Sequence, residues 1–148
     1  MKKRKDIKWF VYGQKLTLPQ DLEAPYTFIH FPSDEELAKL YSSADVVICP
    51  SWYESFPAPP LEAMACGTPV IVSTGCGASE VLTDGESALL VPPKSPEKIS
   101  DAIIKLKENP NLWRRLSTNG RKFVEENIRW DLYTKNMLRV FEEVLRNK

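Results

Sequence analysis

From Tyr53 to Val72 the chain reads Y-E-S-F-P-A-P-P-L-E-A-M-A-C-G-T-P-V-I-V, which predicts a loop, a short helix and a buried strand in succession. The prolines at positions 57, 59 and 60 predict that no helix begins before Leu61, because proline is tolerated only in the first turn of a helix. Residues 61–66 are mostly good helix formers, and Gly67 followed by Pro69 ends the helix. The β-branched run after Pro69 is typical of a buried strand.

Two carboxylates stand in this stretch, Glu54 in the predicted loop and Glu62 in the predicted opening turn of the helix. The free amides and the dipole at a helix N-terminus favour phosphate. A carboxylate can accept two hydrogen bonds from a vicinal diol such as that of a ribose. The pair therefore indicates a ligand that combines a diphosphate, a ribose and a sugar.

The composition predicts one soluble globular domain over 1–148, because 148 residues with 43% hydrophobic content can bury a core of their own. Twenty basic and twenty acidic residues balance, which argues against nucleic acid as a partner.

Cysteines 49, 66 and 76 have no metal-ligand spacing, and we interpret them as reduced thiols of a cytoplasmic protein. The basic residues 1–5 predict a solvated terminus, since the apolar run after them is too short for a signal peptide. Peripheral attachment to a membrane through this terminus is the alternative.

Apolar and β-branched runs predict five strands, at 7–12, 26–31, 46–49, 70–73 and 88–91. Ser33 and Glu36 form a predicted capping box at the start of a further helix, residues 14–25 a loop and 79–82 a helical turn. Three longer helices are predicted at 96–108, 110–126 and 130–146, with apolar stripes that we interpret as core faces and a weak point at Asn119–Gly120. The alternation of strands and helices at 7–92 predicts an α/β fold with a Rossmann-like parallel sheet flanked by helices, and 93–148 forms a helical C-terminal segment.

Residues 54–70 resemble the donor-binding motif of retaining glycosyltransferases of family 4, whose usual form is E-G-F-G-L-P-x-L-E-A-M-A-x-G-x-P-V. The flanking runs resemble the same family in the same order: S-A-D-V-V-I-C-P-S at 43–51, G-C-G-A-S-E-V at 75–81 and D-G-E-S-A-L-L-V at 84–91. The resemblance covers roughly residues 7–145 and is specific over 43–92. Four motifs at the family's spacing carry far more weight than a lone pair of glutamates.

The resemblance implies that the chain is the C-terminal, donor-binding half of a GT-B glycosyltransferase, with the first βα unit of that half absent. A sugar would pass from a nucleotide-diphosphate sugar to an acceptor hydroxyl with retained anomeric configuration. No cofactor and no metal are implied, and the chain contains no D-x-D motif. The family's N-terminal acceptor domain is a missing partner, so we expect the chain alone to be inactive. Its closing helix would leave Trp130, Tyr133 or Met137 unusually exposed.

The same resemblance assigns roles to individual residues. Glu54 would contact the hydroxyls of the donor sugar and is the candidate catalytic residue, while Glu62 would hold the ribose. The full donor-binding set is Glu54, Ser55, Phe56, Pro57, Ala58 and Glu62, with Gly75, Gly77 and Glu80 as additional candidates. Pro57 departs from the family's glycine and has no N–H, which leaves the amides of Phe56 and Ala58 for the diphosphate.

Each assignment has a structural alternative. Glu62 could serve only to complement the helix dipole from the first turn. Gly75 and Gly77 could serve only to permit a positive φ, and Glu80 could be an ordinary capping residue at the third position of a helical turn. For the whole chain, the alternatives are a non-catalytic nucleotide-binding or scaffold module and a sugar-nucleotide epimerase of GT-B architecture.

Overall fold

The computed structural model describes residues 7–13 and 26–146. The predicted basic terminus at 1–5 and the predicted loop at 14–25 lie outside the described residues. The chain divides into two compact units, Met1–Lys39 and Leu40–Lys148, with the boundary inside the first helix.

The described elements follow the predicted alternation of strands and helices. In chain order they are β1 (Trp9–Gly13), β2 (Tyr26–His30), α1 (Asp34–Ser43), β3 (Val47–Cys49), α2 (Ala58–Ala65), β4 (Val70–Ser73), a 3₁₀ turn (Gly77–Glu80), β5 (Leu89–Val91), α3 (Pro96–Glu108), α4 (Pro110–Asn127) and α5 (Trp130–Arg146). The bounds agree with the sequence predictions to within two residues, except at the start of α2.

The first unit contains a two-stranded parallel sheet. β1 and β2 pair in register from Trp9 opposite Tyr26 to Gly13 opposite His30. The predicted capping box of α1 is confirmed: the Ser33 N–H donates to Glu36 Oε2 at 2.8 Å and the Glu36 N–H donates to Ser33 Oγ at 3.3 Å. These bonds satisfy backbone donors that the first turn of a helix leaves unpaired. The Ser33 N–H and the Ser33 hydroxyl both donate to Glu36 Oε2 and hold the pKa of the Glu36 carboxyl below its usual range.

The second unit is built on a three-stranded parallel sheet in the order β3-β4-β5. β4 is buried along its whole length, as its β-branched sequence predicts. One hydrophobic core cluster lies where the sheet meets α3 and α4, and it consists of Ile71, Leu89, Val91, Ala102, Leu106, Leu112 and Leu116. The parallel α/β fold predicted from the sequence is confirmed, with the strands divided between two sheets.

Helix α2 begins earlier than predicted. Its first residue is Ala58, so Pro59 and Pro60 both lie in its first turn. The prediction of a start at Leu61 was wrong, because the N–H groups that these prolines lack have no acceptor inside the helix in any case. The predicted stop is confirmed, since Gly67 has φ +81° directly after the C-cap residue Cys66.

Helix α4 is continuous through the predicted weak point at Asn119–Gly120. A Cβ on Gly120 would lie 3.1 Å from the Ser87 carbonyl oxygen and 3.4 Å from the Met64 side chain. The glycine therefore allows close packing of α4 instead of weakening the helix, which corrects the prediction.

Helix α5 has an apolar stripe but no buried residue, so the prediction that this stripe is a core face was wrong for the described structure. Periodicity shows that one side of a helix is apolar, but not what covers that side. The exposure predicted for Trp130 and Tyr133 is confirmed, at 84% and 57%, while Met137 is half-buried. No helix among the described residues is long and apolar enough to cross a membrane.

We expect Leu116→Ala to lower the free energy of unfolding by about 2–5 kcal/mol, because Leu116 is 1% exposed in the core between the sheet and α4. Leu145→Ala on α5 is the matched control, since Leu145 is 70% exposed. Its expected effect is within about 0.5 kcal/mol. Chemical denaturation of both variants measures the difference, and equal losses would contradict this description of the core.

Candidate functional site

The segment 51–57, here called the motif loop, connects β3 to α2 and lies beside the segment 74–77, here called the glycine turn, which follows β4. The Glu54 N–H donates to the Gly75 carbonyl oxygen at 3.2 Å, and the Gly77 N–H donates to the Glu54 carbonyl oxygen at 3.0 Å. Glu54 and Cys76 thereby form a parallel bridge. Because β3 and β4 are parallel neighbours, both segments leave the same edge of the sheet.

The two glycines of the glycine turn permit this close approach. A Cβ on Gly75 would lie 2.2 Å from the Trp52 carbonyl oxygen, and one on Gly77 would lie 1.9 Å from the Ser55 carbonyl oxygen. Among the described glycines, positive φ occurs at Gly13, Gly67 and Gly85. The alternative that Gly75 and Gly77 serve to permit a positive φ was therefore wrong; they are required because the motif loop occupies the space of a side chain.

The Glu54 carboxylate is held on one side only. Ser51 Oγ donates to Glu54 Oε2 at 3.0 Å, and within the described residues Oε1 has no hydrogen-bond partner. The residue is partly exposed. The glycine turn fixes the backbone of Glu54, and the Ser51 hydroxyl orients Oε2. Oε1 can therefore accept a hydrogen bond from a hydroxyl of a ligand.

Glu62 lies in the second turn of α2, not in the opening turn, because the helix begins at Ala58. The alternative that Glu62 complements the helix dipole from the first turn was wrong for this reason. Its carboxylate is exposed but oriented, since Tyr41 Oη donates to Glu62 Oε2 at 3.0 Å. Tyr41 is itself 2% exposed, and Thr68 Oγ1 donates to the Tyr41 carbonyl oxygen at 2.7 Å.

The start of α2 offers few donors to an anion. Prolines 57, 59 and 60 have no N–H, and the N-cap position is Pro57, which cannot cap through its side chain. Phe56 is half-exposed, and its N–H has no partner within the described part of the chain. The N–H groups of Phe56 and Ala58 are thus the backbone donors available to an anion near the start of α2, as the sequence indicated. Ser55 is exposed beside them.

Glu80 is the last residue of the 3₁₀ turn and is exposed. In the described ranges its carboxylate accepts no hydrogen bond and forms no ion pair, so the alternative that it caps this turn is not observed. The side chain is available to a ligand on the surface that follows the glycine turn.

Sequence reasoning missed several residues of this region. The sequence assigns no role in the site to Tyr41, and it includes Ser51 only as the last residue of the 43–51 motif. Lys94, after β5, places its ammonium group 4.6 Å from the centre of the Trp52 ring in the motif loop. A serine and a tyrosine near glutamates carry no sequence signal of contact, because these pairs form only in the folded chain.

Two of the three thiols lie beside Glu54. Cys49 Sγ and Cys76 Sγ are 3.8 Å apart and both residues are buried, whereas Cys66 is half-buried and separate. Burial, the neighbouring Cys49 thiol and the Glu54 charge raise the pKa of Cys76 to about 11. Cys76 is therefore an uncharged thiol at neutral pH and is no nucleophile there.

The sequence of the chain matches a known protein family. The family described as glycosyl transferases group 1 matches residues 1–123. A MMP alpha-(1->4)-mannosyltransferase of Mycolicibacterium hassiacum is 40% identical over 114 residues, which are 76% of this chain and 28% of that protein. The chain thus spans less than a third of the length of this curated relative.

Two solved structures share the fold. The C-terminal domain of the glycosyl transferase group 1 family protein LpcC of Francisella tularensis is 33% identical, with a TM-score of 0.66 over 74% of this chain and 56% of that one. Anabaena HepE, solved in complex with UDP-glucose, has a TM-score of 0.76 over 99% of this chain and 42% of that one. At 22% identity the second likeness concerns the fold alone.

We expect Gly77→Ala to cost about 3 kcal/mol of stability or to detach the motif loop, because its Cβ would overlap the Ser55 carbonyl oxygen. Gly67→Ala is the control: it is strained by its φ of +81° but has ordinary space around it, so roughly 1–2 kcal/mol is expected. Thermal unfolding and amide exchange of Glu54 measure the two effects. Exchange at Glu54 should accelerate only in Gly77→Ala, and an unchanged rate there would show that the loop does not depend on the glycine.

Proposed function

Because the chain belongs to the family of group 1 glycosyltransferases and has the α/β architecture of GT-B enzymes, we propose that it is the donor-binding domain of a retaining glycosyltransferase. The reaction would transfer a sugar from a nucleotide-diphosphate sugar to an acceptor hydroxyl. One observation carries this proposal: Glu54 and Glu62 are each oriented by a single hydroxyl, Ser51 Oγ and Tyr41 Oη, and keep acceptor capacity for a ligand.

Glu62 binds the ribose in this proposal. An ionised carboxylate has two oxygens and no donor, so it can accept from both hydroxyls of a vicinal diol. The Tyr41 hydroxyl occupies one lone pair of Oε2 and limits rotation of the carboxylate. A carboxylate oriented in this way loses less conformational entropy when the nucleotide binds.

Glu54 contacts the hydroxyls of the donor sugar, and its role in catalysis is to position the anomeric carbon. The diphosphate gains negative charge as the glycosidic bond breaks. The amides of Phe56 and Ala58 stabilise that charge, with Ser55 and the Lys94 ammonium group as further donors from this chain. Pro57 lies in the motif loop and contributes no N–H, and we propose Gly75, Gly77 and Glu80, in and after the glycine turn, as additional residues of the donor site.

No metal or cofactor takes part in the proposed transfer, since amides and cations serve the leaving group and the sequence contains no D-x-D motif. The partner is a nucleotide sugar, with no nucleic acid involved. The matched part of the M. hassiacum relative is 28% of its length, so the acceptor is proposed to bind a further, N-terminal domain. We propose a cytoplasmic location, with peripheral attachment of the full-length enzyme to a membrane as the alternative.

One observation favours a second candidate, a non-catalytic nucleotide-binding or scaffold module. Prolines at 57, 59 and 60 remove backbone donors where the proposed leaving group lies. A degenerate module would keep the fold with little or no affinity for nucleoside diphosphates. Titration calorimetry with the diphosphates of uridine, guanosine and adenosine decides between the two functions, because an absence of binding by all three at millimolar concentration would favour the scaffold.

We expect Glu62→Ala to weaken binding of the preferred nucleoside diphosphate roughly tenfold, about 1.4 kcal/mol, because the ribose diol loses its acceptor. Tyr41→Phe should weaken it roughly two- to fivefold, since the carboxylate remains but is no longer oriented. The matched control is Glu86→Ala, which removes an exposed carboxylate from the loop before β5. Unchanged affinity in Glu62→Ala, measured by calorimetry on folded protein, would remove Glu62 from the site.

We expect the 148-residue chain alone to transfer no sugar. Transfer requires the acceptor hydroxyl to be held roughly 3–3.5 Å from the anomeric carbon, and the chain corresponds to about a quarter to a third of the length of the curated relatives. The measurement is product formation from a panel of nucleotide sugars and simple acceptors, with a full-length family member as the positive control. Turnover above that of a Glu54→Gln variant would show that the chain holds a complete active site.

A further inference from the structure

Three metal-ligating groups from separate segments meet beside the motif loop. Cys49 is the last residue of β3, Cys76 lies in the glycine turn after β4, and Glu54 bridges to Cys76 through its backbone. The two sulfurs and a carboxylate oxygen of Glu54 all lie within 4.8 Å of one another. None of the roles proposed for the transfer reaction uses the two thiols.

The distances fit a tetrahedral thiophilic ion. With Zn–S bonds of about 2.3 Å and a tetrahedral angle, two coordinating sulfurs lie roughly 3.8 Å apart, and Cys49 Sγ and Cys76 Sγ are 3.8 Å apart. A Zn–O bond of about 2.0–2.2 Å places the carboxylate oxygen roughly 3.5 Å from each sulfur. A Glu54 carboxylate oxygen lies within 4.8 Å of both sulfurs, and coordination would bring it closer through rotation of this partly exposed side chain.

The surroundings supply the outer contacts that such a site needs. Ser51 Oγ donates to Glu54 Oε2 at 3.0 Å, so one oxygen of the carboxylate is oriented while the other is free to bind a metal. Contacts of this kind fix the direction of a ligand and raise its affinity. The two hydrogen bonds between the motif loop and the glycine turn hold Glu54 and Cys76 at a constant separation.

We propose that Cys49, Cys76 and Glu54 bind a thiophilic divalent cation of the zinc type, which withdraws Glu54 from the donor site. Two metal–sulfur bonds and one metal–oxygen bond form, the two thiol protons pass to solvent, and the fourth position keeps a water molecule. Two sulfurs select zinc over magnesium or calcium, which prefer oxygen ligands. The metal therefore acts as an inhibitor of donor binding and not as a cofactor of the transfer, and this consequence rests on the proposed function of Glu54.

The site itself is tested by cobalt titration of the reduced 148-residue chain, in which thiolate ligation produces a ligand-to-metal charge-transfer band that zinc then abolishes. We expect one metal per chain. Cys49→Ser and Cys76→Ser should abolish the band and weaken zinc binding at least tenfold, while Cys66→Ser, the control thiol, should change neither. Glu54→Gln replaces only a partly exposed carboxylate, so it is expected to fold, to keep the band and to bind zinc about tenfold more weakly.

Several results would overturn the site: no stoichiometric metal, a band that persists without Cys49 or Cys76, a band lost in Cys66→Ser, or a zinc affinity unchanged in Glu54→Gln. The consequence for the donor is measured separately with UDP-glucose as the probe. Zinc should weaken its binding at least tenfold in the wild type but not in Cys49→Ser. If no nucleotide sugar binds in the absence of metal, the proposed function fails, while the cobalt titration still decides the metal site.

Discussion

The site depends on the backbone contact between the motif loop and the glycine turn. Two hydrogen bonds, each with a net worth of about 1 kcal/mol, join Glu54 to Gly75 and Gly77. They form only because neither glycine has a side chain, as a Cβ at either position would overlap a carbonyl oxygen of the loop. The position of Glu54 therefore requires glycine, with no Cβ, at both Gly75 and Gly77.

The prolines at the start of α2 make its backbone rigid but remove hydrogen-bond donors. Proline fixes φ near −65°, which suits the first turn of a helix, but each proline removes an N–H. With prolines at 57, 59 and 60 the helix terminus has a dipole and few amides to donate. If the proposed function holds, recognition of a nucleotide sugar would depend more on the carboxylates of Glu54 and Glu62, each oriented by one hydroxyl, than on backbone amides.

The features that could be predicted from the sequence are those determined by residues within a single segment. The bounds of α3 agree with prediction because its apolar periodicity and its proline start lie within the segment. Those of α5 agree because its apolar periodicity is also local. The burial of α5 could not be predicted, since an apolar stripe does not identify its partner. The Tyr41–Glu62 and Cys49–Cys76 contacts join residues 21 and 27 positions apart, and no local pattern specifies such pairs. Motif resemblance found the glutamates but not the residues that orient them.

The protonation state of Cys76 sets part of the charge beside Glu54. The buried position of Cys76 and its neighbours raise its pKa to about 11, so at neutral pH the sulfur carries no charge. A thiolate there would add a second negative charge beside the carboxylate and repel a diphosphate. An uncharged Cys76 adds no such charge beside the carboxylate that we propose contacts the donor sugar, whereas the proposed cation would require thiolate ligands. Under the two proposals together, the Glu54 carboxylate would have two mutually exclusive states, one open to a sugar and one held by a metal.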